Sequence, residues 1–290
     1  MLSLESRKKL AIGTAQFGYK YGVTNKRGKT SAKEISKIIS LQRKYKINYL
    51  DTAQAYKSEK ILKNFDLKKF DIIMKLQTFN GSKNLEKSIK KNILKAMKNL
   101  KVNSIFCLMV HESRDLLKKD GVNLYRILKA LKDDNYVEKI GFSTYGTSNI
   151  LKILKKFKFD VVQTTFNPFD RRILNQKIKN KLKKKGVEVH VRSIFLQGLL
   201  LLLQTNKIPK KLKKFENNFK KWNNFVKNSG LKPFDICINY ALSQNFDKII
   251  FGINDHKQLK EIINCRNKKI MIPKNISTNN KFLINPYYWS

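Results

Sequence analysis

Asp51, Tyr56, Lys75 and His111 are residue types that together can move a proton. An isolated phenol ionises near pH ~10 and an isolated lysine near ~10.4, so a tyrosine alone is a poor acid at neutral pH. A lysine ammonium beside the phenol stabilises phenolate, and each unit of lowering corresponds to about 1.36 kcal/mol. Asp51 would keep Lys75 charged and oriented, and His111 would hold or polarise a carbonyl oxygen. Such a set protonates an oxygen as hydride arrives at its carbon. Singly, each residue has a plainer reading: a strand-end Asp or Lys caps a loop or stays solvated, and a Tyr packs. The argument rests on their joint placement.

That placement follows from the elements around them. Short apolar runs read as strands at Lys9 to Thr14, Ile47 to Thr52, Phe70 to Leu76, Ser104 to His111, Val137 to Ser143, Phe159 to Thr165, Val187 to Ser193 and Lys248 to Ile253. Near-continuous apolar runs of this length suit strands buried on both faces of a parallel sheet. Helical periodicity fills the gaps at Ser31 to Lys46, Leu85 to Asn99, Asn123 to Asn135, Asn149 to Phe157, Leu174 to Lys185 and Leu259 to Cys265, and more weakly at Ser58 to Asn64. A helical insertion is expected at about 204–245, with helices at Pro209 to Asn228 and Pro233 to Ser243.

Eight strand–helix units in 290 residues predict an α/β fold, a single-domain (β/α)8 TIM barrel. A doubly wound sheet is the rival, but Gly13, Gly18 and Gly22 lack the G-x-G-x-x-G spacing, and no phosphate-binding G-x-x-x-x-G-K-[ST] loop is present. Barrels of this kind do chemistry at the C-terminal ends of their strands. There the sequence puts Asp51 at the end of strand two with Tyr56 just beyond it, Lys75 on strand three, His111 on strand four and Ser143 on strand five. Gln163, with Asn167 beyond it, belongs to strand six, and His190, Arg192 and Ser193 to strand seven.

Composition narrows the partners. Lys and Arg number 62 against 21 acidic residues, a formal charge of +41. Only 9 of the 62 are Arg, and the lysines alternate with Ile, Leu, Asn and Phe along the helical segments. That pattern is a solvated helix face rather than a concentrated phosphate-binding patch, so no specific nucleic-acid partner is expected. Anionic substrates would gain from the field. No apolar run approaches the roughly 18 to 20 residues of a membrane span, and no signal peptide is read at the N-terminus. Cys107, Cys237 and Cys265 have no C-x-x-C spacing; they read as core thiols of a cytoplasmic protein, and no metal site is expected. His190 and His256 read as structural or solvent-facing. Ser193 lacks the G-x-S-x-G setting of a serine hydrolase.

The residues resemble the aldo-keto reductase family through Ile12-Gly-Thr-Ala-Gln-Phe-Gly, Asn48-Tyr-Leu-Asp-Thr-Ala-Gln-Ala-Tyr, Ile73-Met-Lys, Met109-Val-His, Ile140-Gly-Phe-Ser, Val162-Gln, Gly198-Leu-Leu and Ile250-Phe-Gly-Ile-Asn with Gln258. The resemblance implies a (β/α)8 barrel that reduces an aldehyde, ketone or sugar-like carbonyl with NADPH, or oxidises an alcohol with NADP+, NADH being the other possible donor. It implies Tyr56 as general acid, Lys75 as its partner, Asp51 as counter-ion and His111 as the carbonyl-orienting residue. It further implies that Ser143 and Gln163 bind the nicotinamide carboxamide. Arg192 and Ser193 would line the cofactor, Gly252, Ile253 and Asn254 would meet the adenosine phosphate end, and Gln258 would lie near the adenine. Arg192-Ser-Ile-Phe-Leu-Gln-Gly resembles a bacterial subgroup often associated with surface-sugar or glycan-precursor metabolism.

Four positions depart from the family pattern. Thr144 replaces an asparagine, Lys57 a glycine, Ile262 an asparagine, and Arg192 the aromatic that commonly stacks on the nicotinamide. Beside an oxidised nicotinamide a guanidinium is unfavourable, so Arg192 alternatively serves an anionic group of the substrate. Asn167, Arg171 and Arg172 are candidates for contact with a polar or anionic substrate, or else form a helix-entry turn. The departures also keep open a non-catalytic barrel of the same family acting as a binding or regulatory protein.

Overall fold

The computed structural model describes residues 1–77, 84–203 and 207–289. Eight parallel strands close into a barrel in sequence order: β1 (Leu10–Gly13), β2 (Tyr49–Ala53), β3 (Asp71–Leu76), β4 (Ile105–Val110), β5 (Val137–Ser143), β6 (Val161–Thr165), β7 (Glu188–Arg192) and β8 (Lys248–Gly252). Every strand runs parallel to its neighbours, and β8 pairs with β1 to complete the ring.

The helices that cover this ring form where apolar residues recur every three or four positions. Ala32–Tyr45 buries Ile35, Ile38, Ile39 and Gln42, starts at Ser31, whose side chain accepts from the Glu34 amide, and stops at Lys46 in a left-handed turn. Leu85–Leu100 likewise buries Ile89, Ile93, Ala96 and Leu100. Many of the lysines take the remaining, solvent-facing positions. Gly121–Asp133, Ile150–Lys156, Gln176–Lys184 and His256–Asn264 complete the main layer. After β2 the helical piece shrinks to one turn, Glu59–Leu62.

Between β7 and β8 the chain forms helical turns at Leu196–Leu201 and Lys210–Phe215, then helices Glu216–Ser229 and Pro233–Leu242. Residues 204–206, where the insertion was expected to begin, lie outside the described residues. The expected helix from Pro209 is a tight turn through Phe215 before it becomes α-helical. Trp222, fully buried, donates to the Leu200 carbonyl at 2.9 Å and ties these helices to the segment after β7.

Strand pleating divides each strand's side chains between barrel interior and helix layer with a period of two. The parallel register aligns that period around the ring: Gly13 with Asp51, Asp51 with Ile73, Lys75 with Met109, Ser143 with Gln163, and Gln163 with His190. The middle of the interior is an apolar plug of Ala11, Ile73, Cys107, Met109, Val161 and Ile250. Two residues further along the same strands come Gly13, Lys75, Gln163 and Gly252, and immediately beyond β4 comes His111. The residues with candidate chemistry are therefore the layer directly above the plug.

Candidate active site

Lys75 is fully buried and donates to Asp51 Oδ1, while Gln163 Nε2 donates to Asp51 Oδ2 at 2.7 Å. Both carboxylate oxygens are thereby occupied. The Lys75 ammonium lies 5.4 Å from the centre of the Tyr56 ring. The His111 imidazole meets that ring edge-on, 6.0 Å between centres and at 87°. The four residues picked from the sequence thus converge.

A network of hydroxyls sets this geometry. Ser58 is fully buried and shares hydrogen bonds with Thr14 (3.0 Å) and Thr52 (2.9 Å), and Thr14 also donates to the Asp51 carbonyl. The turn carrying Tyr56 is pinned to β1 and β2. Gly18 passes so close to the Tyr56 carbonyl that a Cβ there would sit 1.6 Å from the oxygen. At Lys57 the backbone is left-handed, φ 56°, the conformation glycine takes freely.

Electrostatics assigns the protonation states. Burial, followed by the nearby Asp51 carboxylate, pushes the Tyr56 phenol well above its ordinary value. The expected lowering by Lys75 does not prevail, because the ammonium is already engaged by Asp51. Tyr56 accordingly stays protonated at neutral pH, as an acid in reduction requires. Burial pulls the Lys75 ammonium down and Asp51 opposes it. Burial, with the charges of Lys75 and Arg192, brings His111 down to about 4, so at neutral pH it is an uncharged imidazole.

From Tyr56 a cleft of about 390 Å³ runs past Arg192 and Ser193 to Gly252, Ile253, Asn254, Gln258 and Ile262. Every cofactor position read from the sequence borders it except Ser143, at the end of β5, and Gln163, its register partner in the middle of β6. Ser143 Oγ and Gln163 Oε1 are buried with no hydrogen-bond partner. Two such atoms side by side fit a polar group such as a carboxamide. Gly252 lets the Gln16 amide lie against β8, where a Cβ would come within 2.4 Å of Gln16 Nε2. Gln258 Oε1 accepts from the Asn254 amide at 2.7 Å, fixing the loop after β8. Thr144, at the asparagine position, is buried and accepts from Ser113 at 3.1 Å. Ile262 packs in the core at the end of the cleft.

Other readings resolve as structure. Asn167 caps its own loop through the amides of Phe169 and Asp170. Arg171 donates to the carbonyls of Ile272 and Pro273, and Arg172 pairs with buried Asp170. These three frame the loop after β6. His190 is buried against Glu188, and His256 Nδ1 lies 2.6 Å from Glu34. All three cysteines are buried and free. Among the described residues there is no metal-binding cluster and no helix long and apolar enough to cross a membrane.

The sequence did not reveal that the segment after β1 lines the cleft. Tyr21, Thr24, Asn25, Lys26 and Arg27 border it. Thr24 donates to the Gln197 carbonyl (3.2 Å), Asn25 to Asn254 Oδ1 (3.2 Å), and Arg27 pairs with Asp255. The glycines at 22 and 28 were the available signal, both at positive φ in a loop rich in polar residues.

The family model described as "Aldo/keto reductase family" matches residues 9–275. Among solved structures, the chain is similar to aldo-keto reductase AKR11C1 from Bacillus halodurans in its holo form (17% identity, TM-score 0.69, covering 90% of this chain and 88% of that one). It is also similar to the glycerol dehydrogenase AKR11B4 from Gluconobacter oxydans (19% identity, TM-score 0.67, covering 91% and 88%). A third similar structure is PA4992 from Pseudomonas aeruginosa, itself described as a putative aldo-keto reductase (19% identity, TM-score 0.63, covering 89% and 88%). No curated protein matches the chain significantly.

Proposed function

Because the chain belongs to the aldo/keto reductase family, an oxidoreductase family, we propose that it reduces an aldehyde, ketone or sugar-like carbonyl to an alcohol, or runs the reverse reaction, with NADP(H). The observation that carries this reading is the convergence of protonated Tyr56, the buried Lys75–Asp51 pair and uncharged His111 above the barrel plug. When bound, the cofactor supplies the hydride or accepts it.

The chain's own residues do the rest. Tyr56 donates its phenolic proton to the substrate oxygen as negative charge develops there. His111, uncharged, donates an N–H hydrogen bond to that same oxygen and orients the carbonyl. Lys75, held by Asp51, lies beside the phenol and offsets the charge left when the proton departs. Gln163 keeps Asp51 in place.

Ser143 and Gln163 would hold the nicotinamide carboxamide. Ser193, Gly252, Ile253 and Asn254 would line the path to the adenosine end, and Gln258 would sit near the adenine. Arg27 is paired with Asp255 and Glu261 also borders the cleft, so Lys26 is the residue there whose ammonium supports NADPH over NADH. We place the protein in the cytoplasm and assign it a small-molecule substrate rather than a specific nucleic acid.

Titration with NADPH and with NADH, followed by tryptophan fluorescence at moderate salt, tests the reading. Saturable NADPH binding, tighter than NADH, is expected. If neither dinucleotide binds, the reductase reading falls and a non-catalytic barrel takes its place.

A further inference from the structure

The charges at the mouth of the barrel do not balance. Lys75 and Asp51 cancel each other, and His111 is uncharged at neutral pH. Arg192 remains. It is half-buried at the end of β7 and lines the cleft with Tyr56 and Tyr21. Its guanidinium lies 4.1 Å from the centre of the Tyr145 ring, and its Nη2 donates to the Thr144 carbonyl at 3.4 Å. Among the described residues no carboxylate pairs with it. Its charge acts on Tyr56, Lys75 and His111, so it sits within electrostatic reach of the reacting centre.

A guanidinium over an aromatic ring keeps donors for a second partner, and its planar fork matches a carboxylate or a phosphate. A half-buried cation with neutral partners is costly until an anion arrives, and a ligand in the cleft that Arg192 lines can bring one. Resting on the reductase reading above, we propose that Arg192, held over the Tyr145 ring, forms an anion subsite beside Tyr56, and that the natural substrate is a carbonyl compound bearing a carboxylate or phosphate group. Arg192 then selects the substrate and Tyr56 protonates it.

The test compares matched pairs: succinic semialdehyde against butanal, and glyceraldehyde 3-phosphate against glyceraldehyde, each reduced with NADPH by the wild-type protein, Arg192→Gln and Arg192→Lys. At least one anionic member should exceed its neutral counterpart in kcat/KM by about tenfold or more, the range of a charge-assisted hydrogen bond. Which pair responds tells carboxylate from phosphate. In Arg192→Gln the ratio should collapse towards one, and Arg192→Lys should restore part of it.

Equal kcat/KM for charged and neutral members overturns the proposal. So does a preference that survives in Arg192→Gln but disappears in salt, since that comes from the general +41 charge of the chain. A change confined to the relative affinities for NADP+ and NADPH overturns it as well, because the charge then serves the cofactor. Should even the neutral aldehydes show no turnover, the reductase reading fails separately. Calorimetric binding of the two anionic probes then decides the subsite: binding weakened in Arg192→Gln upholds it, and binding equal in both proteins, or absent from wild type, overturns it.

Discussion

Both ends of the barrel interior are charged, but they are charged differently. At the N-terminal end Lys139 pairs with Glu188, His190 lies 3.4 Å from the same carboxylate, and Lys248 sits 3.8 Å from the centre of the Tyr49 ring and donates to the Lys8 carbonyl. The short helix Leu4–Lys8 leads into β1 at this end. There Glu188 answers Lys139 and His190, and the carboxylate charges of Glu188 and Asp71 act on Lys248. At the C-terminal end Lys75 is answered by Asp51, whereas among the described residues no carboxylate pairs with Arg192, which lines the cleft. A closed set of charges holds a fold; an open set in a cleft awaits a ligand. The contrast separates a stabilising end from a reacting end within one ring of strands, as expected for this architecture.

Substitutions at the two ends should behave accordingly. The largest effect on stability belongs to Lys75→Met, which strands the Asp51 carboxylate in a dry site with only Gln163 to satisfy it. A loss of about 3 kcal/mol is expected in urea unfolding, together with loss of turnover. Retention of full stability would show that the pair contributes nothing to the fold.

Glu188→Gln at the opposite end should cost only about 1 kcal/mol, since the side chain is partly solvated, and should leave turnover intact. Hydrogen bonds from His190 and Lys139 hold the Glu188 carboxyl down to about 2, below its ordinary 4.5. The folded state therefore binds this proton less readily than the unfolded chain. Stability from this group is complete above about pH 4.5 and drains away as pH falls towards 2. The gap between wild type and Glu188→Gln should narrow between pH 6 and pH 3, and a gap independent of pH would refute the pairing.

The smallest effect tests local strain. Lys57→Gly relieves a left-handed residue beside Tyr56 but adds freedom to the unfolded chain, so a net gain of about 0.5 kcal/mol is expected. Thermal unfolding reads it, and a loss of stability would mean that the Lys57 side chain makes a contact worth more than the strain.

How much of this was legible in the sequence follows from chain geometry. Strands buried on both faces write themselves as apolar runs, and a period of two then places Lys75 beyond Ile73 and Gln163 beyond Val161 at one level. The catalytic group could be picked out because its members end those runs. The wall of the cleft could not. Thr24 meets Gln197 across 173 positions and Asn25 meets Asn254 across 229, and no local pattern announces such contacts. Arg192 over Tyr145 was hidden for the same reason. The protonation of Tyr56 was misjudged because residue types alone suggest an ammonium beside a phenol, whereas burial and the carboxylate already bound to that ammonium reverse the balance.

The central claim is that Tyr56 delivers the proton. Single-turnover reduction of an aldehyde by the NADPH-loaded protein, compared between wild type and Tyr56→Phe with dinucleotide affinity measured alongside, tests it most directly. The account predicts a rate lower by about 10²- to 10⁴-fold with cofactor affinity essentially unchanged. A Tyr56→Phe protein that reduces the aldehyde as fast as wild type would contradict it.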